Sequence, residues 1–217
     1  MNTQKTPKIT RRHLLQAAGV FAAGQSTLPR VTGAEILSSS PAPKAFADVV
    51  RRRAMIRAYR SDPVPDEIIQ QLLKYAVRAP SGGHLQPWEF IVVKNPEVRA
   101  QLANAAMGHT AVTTAPVIIA TCADIQRAGS EHGARGSFVS LIDTAFASLL
   151  ILLGAVEQGV GACFVASYNP EEVAKLFALP PNVRPVGLIT IGYPAEAPRK
   201  PPTKKIPLKK LVHVDKW

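Results

Sequence analysis

Few side chains in this sequence could do chemistry. Arg53 and Arg57 fall near the end of the first helix-like run. Ser81, Gly82 and His84 fall in the stretch RAPSGGHLQPWEF. Lys205 falls in KKIPL, near the C-terminus. The stretch at 78–90 links a helix-like run to a strand-like one. A plain surface loop needs its Pro80 and its glycines, but not a Gln86-Pro87-Trp88 that leads straight into an apolar strand. The usual catalytic sets cannot be assembled. There is no nucleophile elbow, no P-loop and no histidine cluster at metal-ligand spacing. Such a chain can still be an enzyme if a bound cofactor carries the reaction. Taken alone, Arg53 and Arg57 read as a solvated helix end.

The elements that must position these residues alternate between helix and strand. The 217 residues, 47% of them hydrophobic, suffice for one domain with a sizeable core. A helix from Phe46 to Ala54 ends in Arg51-Arg52-Arg53. The run SDPVPDEIIQQLLKYAVRA carries an apolar stripe at helical spacing, with Pro65 in its first turn and Pro80 as its stop. WEFIVVK, APVIIATCAD, GVGACFVA and RPVGLITIGYP read as four strands. NPEVRAQLANAA and NPEEVAKLFAL read as helices capped by asparagine with proline at the first position. Residues 126–137, polar and glycine-containing, read as a mobile loop or lid. FVSLIDTAFASLLILLGAVEQ is the longest apolar run. It shows no polar face between Ala145 and Val156, so it needs cover on all sides, and a subunit interface supplies that cover. The pattern predicts an α+β fold, an α/β sandwich around one mixed sheet. Cys122 and Cys163 match no metal or redox spacing and read as buried free thiols, with a disulfide between them as the alternative.

The net charge is +11, in part an N-terminal effect: without the five basic residues of positions 1–34, 21 basic residues face 15 acidic ones. The basic C-terminal tail has only Trp217 as an aromatic, so nucleic acid is not an expected partner. Arg11-Arg12, followed by Leu14, Leu15 and a short alanine-rich run to Gly24, resembles a twin-arginine export signal. The alternative is an ordinary amphipathic first helix. Positions 1–34 are assigned to the signal, 35–44 to a Ser/Pro-rich linker and 45–217 to the domain, with Ala45-Phe46-Ala47 as a second possible cleavage point. The expected location is periplasmic, with membrane contact only during export, or cytoplasmic if the signal does not function. Proteins using this route often fold around a cofactor before crossing, which raises the expectation of a prosthetic group.

Five blocks carry a resemblance, in order: RRAMIRAYRSDPVP, APSGGHLQPWEFIVV, DTAFASLLILLGAVEQGVGA, LITIGYP and KKIPLKKLVH. From about Phe46 to Trp217 the chain resembles the nitroreductase family of flavin mononucleotide (FMN) enzymes. The resemblance implies a central mixed, mainly antiparallel sheet flanked by helices, with the long buried helix at a homodimer interface. It implies FMN held noncovalently at that interface. Arg53, Ala54, Met55 and Arg57 match the motif that faces the flavin phosphate and ring; arginine's planar fork suits a phosphate. Lys205 matches a phosphate-binding tail position. Pro80, Ser81 and Gly82 match the loop that reaches the flavin from the other subunit, and His84 falls in the same loop as a further candidate contact. Val165 and Ala166 match a backbone segment beside the ring.

The implied reaction is a two-electron ping-pong transfer. The donor is NAD(P)H or another reductant, and the acceptor is a nitroaromatic, a quinone or a related small aromatic molecule. Arg57 takes the ring-facing electrostatic role, and no protein acid or base is assigned. The alternatives are a flavin-binding module without turnover, or an enzyme of different chemistry such as dehalogenation or flavin cleavage. Met55, His84, Leu150 and Thr203 depart from the usual pattern. His84 is either a flavin hydrogen-bond donor or a loop residue packed at the interface.

Overall fold

A computed structural model describes residues 44–195 and 204–217, all within the compact unit Pro43–Trp217. The twin-arginine segment, its first cleavage point and the linker lie outside the described residues, apart from Lys44. That residue opens α1 (Lys44–Arg52) instead of closing the linker, and α1 also contains the second cleavage point.

The expected helices form where capping chemistry and apolar spacing agree. α2 (Asp66–Ala76) starts after Pro65, places Asp66 and Glu67 in its first turn, and buries Ile69, Leu72 and Ala76. It ends four residues before Pro80: the Val77 N–H closes onto the Leu73 carbonyl at 3.1 Å and the chain leaves through a turn. After β1 (Trp88–Val93), Asn95 caps α3 (Pro96–Ala105), accepting from the N–H groups of Glu97 at 2.8 Å and Val98 at 3.1 Å. Such a cap stabilises a helix by roughly 1 kcal/mol. A five-residue helix, α4 (Thr110–Thr114), precedes β2 (Val117–Asp124). Its β-branched sequence gives no helical signal, and His109 caps it through Nδ1.

The segment expected to be a loop or lid is helical. Asp124 caps α5 (Ile125–His132) by accepting from the Arg127 N–H at 3.0 Å, and Ala128 is fully buried. A 3₁₀ turn, Gly133–Arg135, leads into α6 (Gly136–Glu157). A Cβ on Gly136 would sit 2.5 Å from the Gly129 Cα, so the two helices meet backbone to backbone. Of the glycines that suggest a loop by composition, Gly136 is there for close packing and Gly133, at φ +50°, ends α5, while the polar residues line the outer side of α5.

β3 (Gly161–Val165), α7 (Pro170–Leu176, capped by Asn169) and β4 (Val183–Gly192) complete the order. The sheet runs β1-β2-β4-β3, and its four strands pair antiparallel throughout. The parallel component of the expected mixed sheet is an isolated bridge between Met55 and Ala162. Both faces are covered. Ile119, Ile189 and Ile191 pack with Leu72 and Ile151 on the face of α2 and α6. Ile118, Ala120 and Leu188 pack with Leu102, Val112 and Val173 on the face of α3, α4 and α7. Strand β2 is therefore buried at nearly every position, as its uniformly apolar sequence requires. Cys122 and Cys163 are free, buried thiols.

α6 divides along its length. Ser140, Asp143, Thr144, Ala147, Ser148 and Ile151 face inward. Ser148, inside the run expected to lack a polar face, is satisfied there: its hydroxyl donates to the Thr144 carbonyl at 2.8 Å and to the Thr121 hydroxyl at 3.2 Å. Phe138, Ile142, Phe146 and Leu149 form an exposed stripe, each at least 37% accessible. Four large apolar side chains on one helical face are a surface that association would cover.

Candidate functional site

Arg53 leaves α1 half-buried, and Ala54 and Met55 follow it along the open edge of β3. The Ile56 N–H donates to the Ala162 carbonyl at 3.0 Å, which fastens this segment to the sheet. Tyr59 locks its far end. Its hydroxyl donates to the Ile56 carbonyl at 2.6 Å and meets the Thr190 hydroxyl at 2.8 Å. Arg57 is held between these anchors with its side chain exposed. Burial pushes the Cys163 thiol up and the positive Arg57 partly offsets that rise, which places the guanidinium near β3. Arg51 and Arg52 lie near Asp48, whereas Arg53 and Arg57 pair with no carboxylate among the described residues.

A cleft of about 330 Å³ opens beside this segment, lined by Ala54, Ile56, Leu152, Val156 and Gly159–Ala162 among others. Because Ala162 turns its carbonyl to the open edge, strand alternation directs the backbone groups of Val165 toward β4. Val165 is buried, and Ala166, the next residue, is exposed beyond the ladder. Of the two, Ala166 is the one with backbone available to a ligand.

The loop expected to complete the site is elsewhere in the chain. Pro80 is exposed and Ser81 and Gly82 half-buried; Gly82–His84 form a 3₁₀ turn at the β1 edge, opposite β3. The Gly82 N–H donates to the Asp143 carboxylate at 3.2 Å. The cleft beside Ala54 instead reaches Leu152 and Val156 on the same helix, ~14–20 Å farther along at 1.5 Å per residue. No residue of the loop lines that cleft. Within one chain, Arg53, Ala54, Met55, Arg57, Val165 and Ala166 are gathered, whereas Pro80, Ser81, Gly82 and His84 form a second group.

The loop is rigidly built. Gly83 has φ +58°, as glycine readily does. His84 also has φ 58°, a left-handed conformation that costs a histidine on the order of 1 kcal/mol. The Gln86 N–H donates to the Ser81 hydroxyl at 3.1 Å, and the Gln86 side-chain amide meets His84 Nε2 at 3.0 Å. With the amide donating, Nε2 accepts and the ring proton sits on Nδ1, so exposed His84 presents a donor. Arg127 donates to the Gln86 carbonyl at 2.8 Å and pairs with Glu89. Lys205 lies in the exposed tail, with no hydrogen bond or ion pair to either group among the described residues.

These residues fit a planar anion: two guanidiniums without carboxylate partners among the described residues, an exposed strand end, and a separate glycine turn bearing a histidine. Among the described residues, no cluster of His, Cys, Asp and Glu could hold a metal. The sequence profile of the Nitroreductase family matches residues 50–116 and 108–193. The chain belongs to the nitroreductase family. It is 32% identical over 189 residues to an NADH dehydrogenase of Thermus thermophilus, covering 74% of this chain and 91% of that protein. It is 27% identical to an FMN reductase [NAD(P)H] of Bacillus subtilis, covering 75% of this chain and 70% of that protein. The crystal structure of a nitroreductase family protein from Clostridium difficile superposes with a TM-score of 0.71 at 27% identity, covering 79% of this chain and 99% of that one. This nitroreductase-family chain is thus an oxidoreductase with the fold its sequence implies.

Two features of the site escape sequence reasoning. Tyr59 is one hydroxyl among ordinary residues until β4 places Thr190 against it. Asp143 sits in an apolar run, and that placement is the one signal that could have singled it out.

Proposed function

We propose that this nitroreductase-family chain is an FMN-dependent oxidoreductase that works as a homodimer, exchanging two electrons in ping-pong fashion. A reduced nicotinamide or another donor and an oxidised nitroaromatic or quinone would use one site in turn. The observation that carries the reading is the pair Arg53 and Arg57, without carboxylate partners among the described residues and fastened beside the exposed end of β3. When bound, the flavin supplies the two-electron redox chemistry.

The chain's residues bind and orient. Arg53 and the tail cation Lys205 would hold the phosphate, Arg57 would offset negative charge beside the ring, and Ala166 would offer its backbone N–H. Ser81, Gly82 and His84 would come from the second subunit. Two observations support a shared site: the separation of the two residue groups in one chain, and the exposed α6 stripe, which a second copy would cover.

The test is stopped-flow reduction of the purified protein by NADH, NADPH and quinols. A yellow protein whose absorbance bleaches with one of these donors and recovers with a quinone bears out the reading. A colourless protein that also fails to take up added FMN sinks it.

Export through the twin-arginine segment is part of the proposal. Reduced nicotinamide is scarce outside the cytoplasm, so an exported enzyme points to a different donor. Replacing Arg11 and Arg12 by lysine should retain the protein in the cytoplasm; unchanged export refutes this part.

A further inference from the structure

Asp143 is 97% buried inside α6, within the longest apolar run of the chain. A carboxylate so placed is costly unless it is compensated. Its hydrogen-bond partner is the Gly82 N–H at 3.2 Å, far away in sequence. Burial raises its carboxyl above the ordinary range, against the lowering influence of that N–H and of His132.

Gly82 is enclosed on its other sides as well. A Cβ there would lie 2.7 Å from His132 Nε2 and 3.1 Å from Val139 Cγ1. His132 Nε2 is itself buried without a hydrogen-bond partner among the described residues. The next residue, Gly83, is closed in by Glu131: a Cβ would meet its Oε2 at 2.0 Å. The other end of the loop is tied to α5 through Arg127 and to β2 through the Asp124 N–H, which donates to the Pro87 carbonyl at 2.7 Å. The backbone of Ser81–His84 therefore rests on α5 and α6, leaving His84 exposed.

We propose that Asp143 is a positioning residue of the cofactor site. By accepting from the Gly82 N–H, it fixes the height and orientation of the Ser81–His84 turn that the partner subunit's flavin would meet. This inference rests on the flavin reading of that turn. Asp143 would not touch the cofactor. It acts through Gly82, and the turn's own hydrogen bonds transmit the constraint: the His84 N–H donates to the Ser81 carbonyl at 3.1 Å and the Leu85 N–H to the Gly82 carbonyl at 3.2 Å. Without the acceptor, the half-buried Gly82 N–H loses its partner, and the turn is driven to expose it to water.

The test compares FMN affinity of the full chain by fluorescence quenching in wild type, Asp143→Ala and Asp143→Asn, alongside hydrogen exchange of the Gly82 amide. Asp143→Ala should weaken FMN binding by roughly tenfold or more, the range for losing a charge-assisted hydrogen bond. Asp143→Asn, whose amide oxygen still accepts, should stay within about threefold of wild type. Equal affinity in wild type and Asp143→Ala overturns the inference, as does an Asp143→Asn loss matching that of alanine. If Asp143→Ala does not fold, the wild-type Gly82 amide decides: slow exchange supports the inference and exchange at the free-peptide rate overturns it. A wild-type chain that binds no FMN sinks the flavin reading, and with it the cofactor role of Asp143.

Discussion

The Tyr59 hydroxyl sits at the meeting point of two segments, 2.6 Å from the Ile56 carbonyl and 2.8 Å from the Thr190 hydroxyl. It joins the edge segment that bears Arg57 to the centre of the sheet. Tyr59 is 6% accessible, so these bonds form away from water. Tyr59→Phe leaves the Ile56 carbonyl without this donor and should destabilise the fold by about 1–2 kcal/mol in urea unfolding. It should also weaken FMN retention, because Arg57 loses its fixed backbone. A variant with wild-type unfolding midpoint and wild-type flavin content would refute the anchoring role.

Gly136 sets the approach of α5 to α6, because its Cβ position faces the Gly129 backbone. Gly136→Ala forces its methyl against the Gly129 backbone, with contacts as close as 2.5 Å, and backbone cannot swing aside as a side chain can. We expect a loss of about 1–3 kcal/mol, the range for overpacking. Loosening should spread to the loop that α5 supports and appear as faster amide exchange at residues 81–86. Gly159→Ala is not a matched control, since Gly159 has φ +72°; Gly129→Ser, where nothing lies within 4 Å of the new Cβ, is the better comparison.

Phe146 stands in the middle of the exposed α6 stripe, 44% accessible. Phe146→Glu puts a charge where a second copy would pack. Sedimentation should show a monomer at micromolar concentration in place of a dimer, with flavin content falling together with the dimer. A dimer of undiminished affinity would remove α6 from the interface.

Alkaline pH should destabilise the protein. Burial pushes the Cys122 thiol and the Tyr168 hydroxyl up to about 12, from ordinary values of 9.0 and 10.0. Both folded-state values are raised, so the protonated forms are favoured in the native state. Their stabilising contribution is complete below the unfolded-state values. It is lost as pH rises from about 9 through about 12, because the unfolded chain releases its protons first. The urea midpoint should fall between pH 8.5 and 10.5, and a flat profile would contradict the shifts. In the same range both thiols should resist alkylation until the chain unfolds.

Much of this fold follows from local signals. Asn95 and Asn169 each precede a proline, and both cap the helices they announce. The four apolar runs are the four strands because β-branched residues fit a sheet covered on both sides. The lid expected at 126–137 fails for an instructive reason: polar residues and glycines look alike in a loop and on the outer side of a short helix. Only the contact of Gly129 with Gly136 separates the two. Likewise Thr110–Thr114 lacks helical propensity and becomes helical because Ala111 and Val112 are buried in the core.

The sequence by itself determined the four strands, most of the helices, the Asn95 and Asn169 caps and the residue types of the candidate site. Each depends on neighbours a few positions away, or on a motif whose order survives in the chain. The tertiary structure decided what those residues do together. It put Arg53 and Arg57 beside β3, and it put Ser81, Gly82 and His84 at the opposite edge of the sheet, so that one chain holds two separate groups. It also brought Asp143 under Gly82 and Thr190 against Tyr59. Contacts between residues so far apart in sequence are set by how sheet and helices pack, and no local pattern encodes that packing.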